Sequence, residues 1–241
     1  MNTFFDPVNN TAAVEQLNKE LGKDGGRTVL ISGCIDTQKV HISSAIASGY
    51  KYMLIVTSDE AKARKMCDDA SFFNKEAIYY PAKDAIFYSA DVHGNQITGE
   101  RLRCISRIIN HSSTGEGVLT VVTTMDGIAD RLIPKEAVIT LDYSSEIEPE
   151  KLAKKLVAMG FVRTGMVEDK GQFAIRGGII DIFSYTDEAP VRIELWDTEV
   201  DSIRMFDVES QRSIERLQSY SIFPATEYIF TEDELKNGLY N

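Results

Sequence analysis

Between Thr28 and Thr123 short apolar runs alternate with segments of helical spacing, and that alternation narrows the architectures open to the chain more than any other feature. Thr28 to Ser32 (TVLIS), Tyr52 to Thr57 (YMLIVT), Ala77 to Tyr80 and Val118 to Thr123 read as strands. Gln38 to Ala47, about Asp59 to Phe72 and about Ile97 to Asn110 read as helices between them. A crossover helix returns the chain to the same end of a sheet, so the strands it joins pair in parallel. Parallel ladders are stable only with helices over both faces. The pattern predicts an α/β domain on a parallel sheet, closed by a short helix in MDGIADRLI.

Near Leu141 the period changes. Glu148 to Met159 (EPEKLAKKLVAM) sets Leu152, Leu156 and Met159 on one helical face, with Pro149 in the first turn and Gly160 as the cap. Phe161 to Met166, Gln172 to Phe183, Val191 to Trp196 and Val200 to Phe206 then read as strands joined by polar turns such as Thr186-Asp187-Glu188 and Asp197-Thr198-Glu199. Turns this short join antiparallel neighbours. A small α+β domain is expected at 142–219, and a third segment from Tyr220 with a helix begun by Thr231 and Glu234, a capping-box pair.

The chain has 241 residues, 43% of them apolar, enough for one large core or two modest ones. A formal charge of -11 argues against wholesale affinity for nucleic acid, which needs clustered Lys and Arg. Cys34, Cys67 and Cys104 are odd in number and far apart, which fits a reducing compartment. With His41, His93 and His111 they form no metal-ligand spacing, so neither metal nor cofactor is expected. The start MNTFFDPVNN lacks the features of a leader, and no window approaches the ~18 apolar residues of a membrane span. A soluble, cytoplasmic monomer that keeps clear of membranes is expected.

The turn after TVLIS sits where a phosphate-binding loop would. Gly33 and Lys39 match G-x-x-x-x-G-K-[ST], but Gln38 replaces the glycine that lets backbone N–H groups approach phosphate, and Val40 replaces the Mg²⁺-binding hydroxyl. Asp36 adds a negative charge inside the cradle. This degenerate nucleotide site is expected not to function. In MLIVTSDE, Ser58 reads as a helix N-cap, with Asp59 and Glu60 complementing the helix dipole rather than forming a Walker B pair. Asp187-Glu188 and Asp233-Glu234 are expected to be solvated.

GQFAIRGGIIDIFSY places Arg176 among apolar residues, and strand parity resolves the conflict. Phe173 and Ile175 point one way, Ala174 and Arg176 the other. In VRIELW, Val191, Ile193 and Leu195 point inward, and Arg192, Glu194 and Trp196 outward. With Arg163 from FVRTGM these residues suggest a face that is either a protein-binding patch or a solvated set of cross-strand ion pairs. Gly177-Gly178 suggests a bulge or a close backbone approach.

FAIRGGIIDIF, then VRIELWDTEVDSIRMFDVESQRS and IFPATEYIFT, closely resembles the domain shared by UvrB excision-repair proteins and the N-terminal module of bacterial transcription-repair coupling factors (Mfd). GGIIDIF, IELWDTEVDSIR and DVESQRS are closer to the second, whose Walker A is likewise eroded. The resemblance implies a degenerate P-loop (RecA-like) parallel-sheet domain at 1–141, a small α+β domain with an antiparallel sheet at 142–219, and the start of a returning segment at 220–241. It implies that the small domain binds UvrA through Arg163, Arg176, Arg192 and Glu194, linking stalled RNA polymerase to nucleotide excision repair. Ala174 takes the place of a further arginine, which makes the contact set smaller than that of UvrB. In the family the ATP-dependent motor and the parts that bind polymerase and double-stranded DNA follow this module. The competing expectation is an ATP-dependent, UvrB-type repair helicase whose loop tolerates Gln38 and Val40.

Overall fold

The computed structural model describes residues 4–22, 27–83, 92–129 and 132–229. The chain divides into two compact units, Met1–Ala85 with Arg107–Asp130, and Ile86–Ser106 with Arg131–Asn241.

The first unit is built on a parallel sheet of order β1-β3-β2, from β1 (Tyr52–Thr57), β2 (Ala77–Tyr80) and β3 (Leu119–Thr124). All six residues of the central strand LTVVTT are buried, as expected of a strand covered on both faces. Helices α1 (Asp6–Asn9), α2 (Ala12–Leu21) and α3 (Asp36–Ala47) precede β1, α4 (Glu60–Phe73) joins β1 to β2, α5 (Val92–Thr114) leads into β3, and α6 (Met125–Ile128) follows it. Val40 of α3 and Ala63, Met66, Cys67 and Ala70 of α4 pack with Val122 of β3. Ala63 and Ala70 are fully buried, and their small side chains let α4 approach closely. The fold class follows the sequence pattern.

Two local expectations fail in this unit. Thr28 to Ser32 joins no ladder among the described residues; Val29 to Ser32 line a pocket with Val14 and Leu17 of α2, and Leu30 is 91% exposed. An apolar run is a strand only if a partner edge takes up its N–H and C=O groups, and β1 pairs with β3 alone among the described residues. The cap of α4 is Asp59, not Ser58: its carboxylate accepts from the Lys62 N–H at 2.9 Å, while the Ser58 hydroxyl donates to the same carboxylate. A charged acceptor also meets the positive end of the helix dipole.

The second unit joins α7 (Pro149–Ala158) to a six-stranded sheet of order β10-β9-β8-β7-β6-β5. Its strands are β5 (Val162–Arg163), β6 (Gln172–Arg176), β7 (Ile179–Phe183), β8 (Val191–Trp196), β9 (Glu199–Phe206) and β10 (Ser213–Arg216). Neighbours are antiparallel except β5 and β6, which run parallel. A separate ribbon pairs β4 (Ile139–Asp142) with β11 (Ser219–Ile222). Leu152, Leu156 and Met159 share a core with Phe173, Val191 and Ile193, which parity turns inward with Ile175 and Leu195, and with Ile180, Ile182 and Ile203. Each such side chain contributes roughly 1.5–3 kcal/mol by its burial.

Gln172 to Phe183 is a hairpin rather than one strand. Arg176 and Ile179 face each other across a two-residue turn in which Gly177 has φ +61°, a conformation costly for residues with a Cβ. A Cβ on Gly178 would lie 2.9 Å from the Leu195 carbonyl oxygen, so both glycines are demanded by backbone geometry. Asp187 is not solvated: it accepts from the Tyr220 hydroxyl at 2.5 Å, and burial pushes its carboxyl above the usual range. The helix expected at Thr231, with Asp233-Glu234, lies outside the described residues. Arg101 of α5 and Glu227 form a pair buried on both sides, at 2.7 and 3.0 Å. No helix among the described residues is long and apolar enough to cross a membrane.

Candidate partner-binding face

The face of the six-stranded sheet turned away from α7 is set by ladder register, because residues opposite each other in neighbouring strands share a face. Ala174 faces Asp181, Asp181 faces Arg192, and Arg192 faces Arg204. One step along the strands, Arg176 faces Ile179, Ile179 faces Glu194, and Glu194 faces Ser202. Three of the four expected contact residues, Arg176, Arg192 and Glu194, therefore stand together. Trp196 lies beyond them at the turn into β9, 80% exposed.

Arg163 does not join them. It faces Phe173, whose side chain is in the α7 core, and so lies on the opposite side of the sheet, paired with Glu150 of α7 at 3.1 Å. Parity along β6 says nothing about the phase of β5, a two-residue parallel edge strand that only its register orients.

The centre of the face is Asp181, which residue-by-residue matching to the family did not single out. It is 1% exposed. Arg192 grips it with Nε at 2.7 Å and Nη2 at 2.9 Å, and Arg176 places Nη2 on the same carboxylate at 2.6 Å. Arg192 is further held by the Gln211 side-chain oxygen at 2.8 Å and lies over the Phe206 ring at 4.3 Å. Its side chain is only 13% exposed, and the Asp181 hydrogen bonds raise its pKa further above the usual arginine range. Arg176 remains 43% exposed. Glu194 accepts from Ser202 at 2.8 Å and from Arg204, a second small network beside the first. Read as one strand, Gln172 to Phe183 gives Asp181 the parity of Phe173; only the hairpin, in which Ala174 faces Asp181 and Arg176 faces Ile179, brings it to the face of Arg176.

In the first unit, the turn that resembles a phosphate loop is closed by its own side chains. Gln38 Oε1 accepts from the Ile35 N–H at 3.2 Å at the start of α3, where Ile35 has no side-chain acceptor of its own. Lys39 Nζ lies 3.0 Å from Asp36 Oδ1, and Lys62 Nζ lies 3.5 Å from Asp36 Oδ2. The Lys39 hydrogen bond holds Asp36 below the ordinary carboxylate range. Val40 is buried against α4, so the position that carries a hydroxyl in a working loop is a core position here.

Comparison with known proteins finds one matching domain model and a set of related chains. The model of the UvrB interaction domain matches residues 139–228, which take in β4 through β11. The chain is 37% identical to the transcription-repair-coupling factor of Bacillus subtilis (strain 168), over 88% of this chain and 18% of that protein. It is 33% identical to that of Staphylococcus haemolyticus (strain JCSC1435), over 96% of this chain and 20% of that protein. Against that of Staphylococcus aureus (strain Mu50 / ATCC 700699) the figures are 34%, 92% and 19%. The chain thus spans about a fifth of the length of the curated relatives it matches.

Proposed function

From a chain whose residues 139–228 form a UvrB interaction domain, within a sequence related along most of its length to transcription-repair-coupling factors, we propose a non-catalytic recruitment module that binds UvrA. In this reading it serves transcription-coupled repair, bringing excision-repair proteins to a stalled RNA polymerase that other parts of a longer protein engage. The observation that carries the reading is Arg176: a half-exposed guanidinium held from beneath by a buried carboxylate, on the open face of the matched domain. Interfaces concentrate their energy in such anchors, and a planar fork suits a partner carboxylate. Glu194 and Trp196 flank it on the same face, and Arg192 supports it from below. Arg163, on the α7 side, stands apart from this contact set.

The loop at residues 33–40 supports the non-catalytic part of the reading. Asp36 already pairs with Lys39 and Lys62, and Gln38 already accepts an N–H at the helix start, so an incoming phosphate must compete with both. Titration of UvrA with wild type and Arg176→Ala at moderate salt tests the binding. A hot spot predicts a loss of ~2 kcal/mol, about thirtyfold in Kd. Equal affinities, with both proteins folded, remove Arg176 from the site.

A further inference from the structure

We propose that Asp181 is the positioning residue of this face: it holds one nitrogen of Arg176 so that the rest of the guanidinium is presented, already oriented, to a carboxylate of the partner. The inference rests on the reading that the face binds an excision-repair partner, and it reassigns the roles within the face. A free arginine side chain carries rotamer entropy that docking must remove. Here Nη2 is fixed on Asp181 at 2.6 Å, and no hydrogen bond of Nε or Nη1 occurs among the described residues. Asp181 is itself immobilised by the two-point grip of Arg192, which Gln211 and the Phe206 ring hold in turn. Arg192, 13% exposed and committed to that grip, acts through Asp181 rather than as a contact of its own. The turn at Gly177-Gly178, pressed against Leu195, fixes the backbone from which Arg176 extends.

Simple charge counting makes the opposite forecast. Deleting a negative charge beside a site for an acidic group strengthens attraction, so Asp181→Asn ought to tighten binding if electrostatics alone governed it. Positioning predicts that it weakens binding, and only when Arg176 is present to be positioned.

The test is a double-mutant cycle with the whole chain against UvrA: wild type, Asp181→Asn, Arg176→Ala and the pair. Asp181→Asn is expected to weaken binding about tenfold in the wild type and less than about twofold in the Arg176→Ala background. The Arg176 Nη–H resonances, read without partner, are expected to lose their distinct shift and restricted rotation in Asp181→Asn. Arg176→Lys keeps the pair with Asp181 but has no second edge, so it is expected to bind like Arg176→Ala; this arm stands even if Asp181→Asn fails to fold. Tighter binding by Asp181→Asn, an equal factor in both backgrounds, or wild-type affinity in Arg176→Lys overturns the inference while the binding face stands. Wild-type affinity in Arg176→Ala overturns the binding face itself.

Discussion

Replacing Glu227 by alanine should destabilise the second unit far more than any surface charge deletion. Arg101 is 0% exposed and Glu227 2%, and the two meet through bonds of 2.7 and 3.0 Å from residues 126 apart in the chain. At an effective dielectric of ~20, two unit charges ~4 Å apart attract by about 4 kcal/mol. Removing the carboxylate takes this counter-charge from a buried guanidinium, and such deletions cost about 3–5 kcal/mol. A domain of this size is stable by about 5–15 kcal/mol, so the loss is about a fifth of the total or more. The pair Arg163–Glu150, similar in chemistry, is the control: its side chains are 46% and 72% exposed, and Glu150→Ala should cost at most about 1 kcal/mol. Native-state hydrogen exchange at the amides of β7, β8 and β9 reads this unit separately from the first. Protection should fall by a factor of about 150 to 5,000 in Glu227→Ala and by less than about sixfold in Glu150→Ala. Comparable losses in the two variants would refute the claim that burial, rather than pairing alone, sets the magnitude.

Two further outcomes follow from the geometry. Burial raises the Asp187 carboxyl above its unfolded value of 3.8, so in the window above 3.8 the folded state holds a proton that the unfolded state has lost, and this group's stabilising contribution falls as pH rises through its folded pKa. Urea unfolding from pH 3 to 7 should show Asp187→Asn gaining stability relative to wild type as pH rises; a difference that is flat or of opposite sign contradicts the assignment. Mg-ATP should leave the melting temperature unchanged, because Asp36 and Gln38 occupy the groups a phosphate would need. A ligand at 100 times its Kd would stabilise by ~2.7 kcal/mol, so a clear upward shift restores the helicase alternative.

The alternation of strand and helix patterns made the parallel sheet legible, and the helix at Pro149 with the period-two strands after it made the second core legible, because apolar spacing is a local property. Parity also placed Arg176, Arg192 and Glu194 on one face, since alternation within a strand needs no knowledge of its neighbours. It failed for Arg163, whose side depends on which residue of β6 it lies beside. It failed for Thr28 to Ser32, where side-chain pattern could not reveal that no edge was available. The Gly177-Gly178 turn was visible as a break but not as a hairpin, which requires the return strand to pair with the first.

What the order of amino acids determined by itself is most of the elements and the alternation of side chains within each, because these follow from helical and strand periods within a few residues. Only the tertiary structure decided what each outward charge does. Arg176 and Arg192 became unlike residues when they converged on one buried carboxylate, and Arg101 became a strut when residue 227 reached it. Exposure and pairing are properties of several segments at once, and the free energy of a charge is set by the surroundings those segments jointly create.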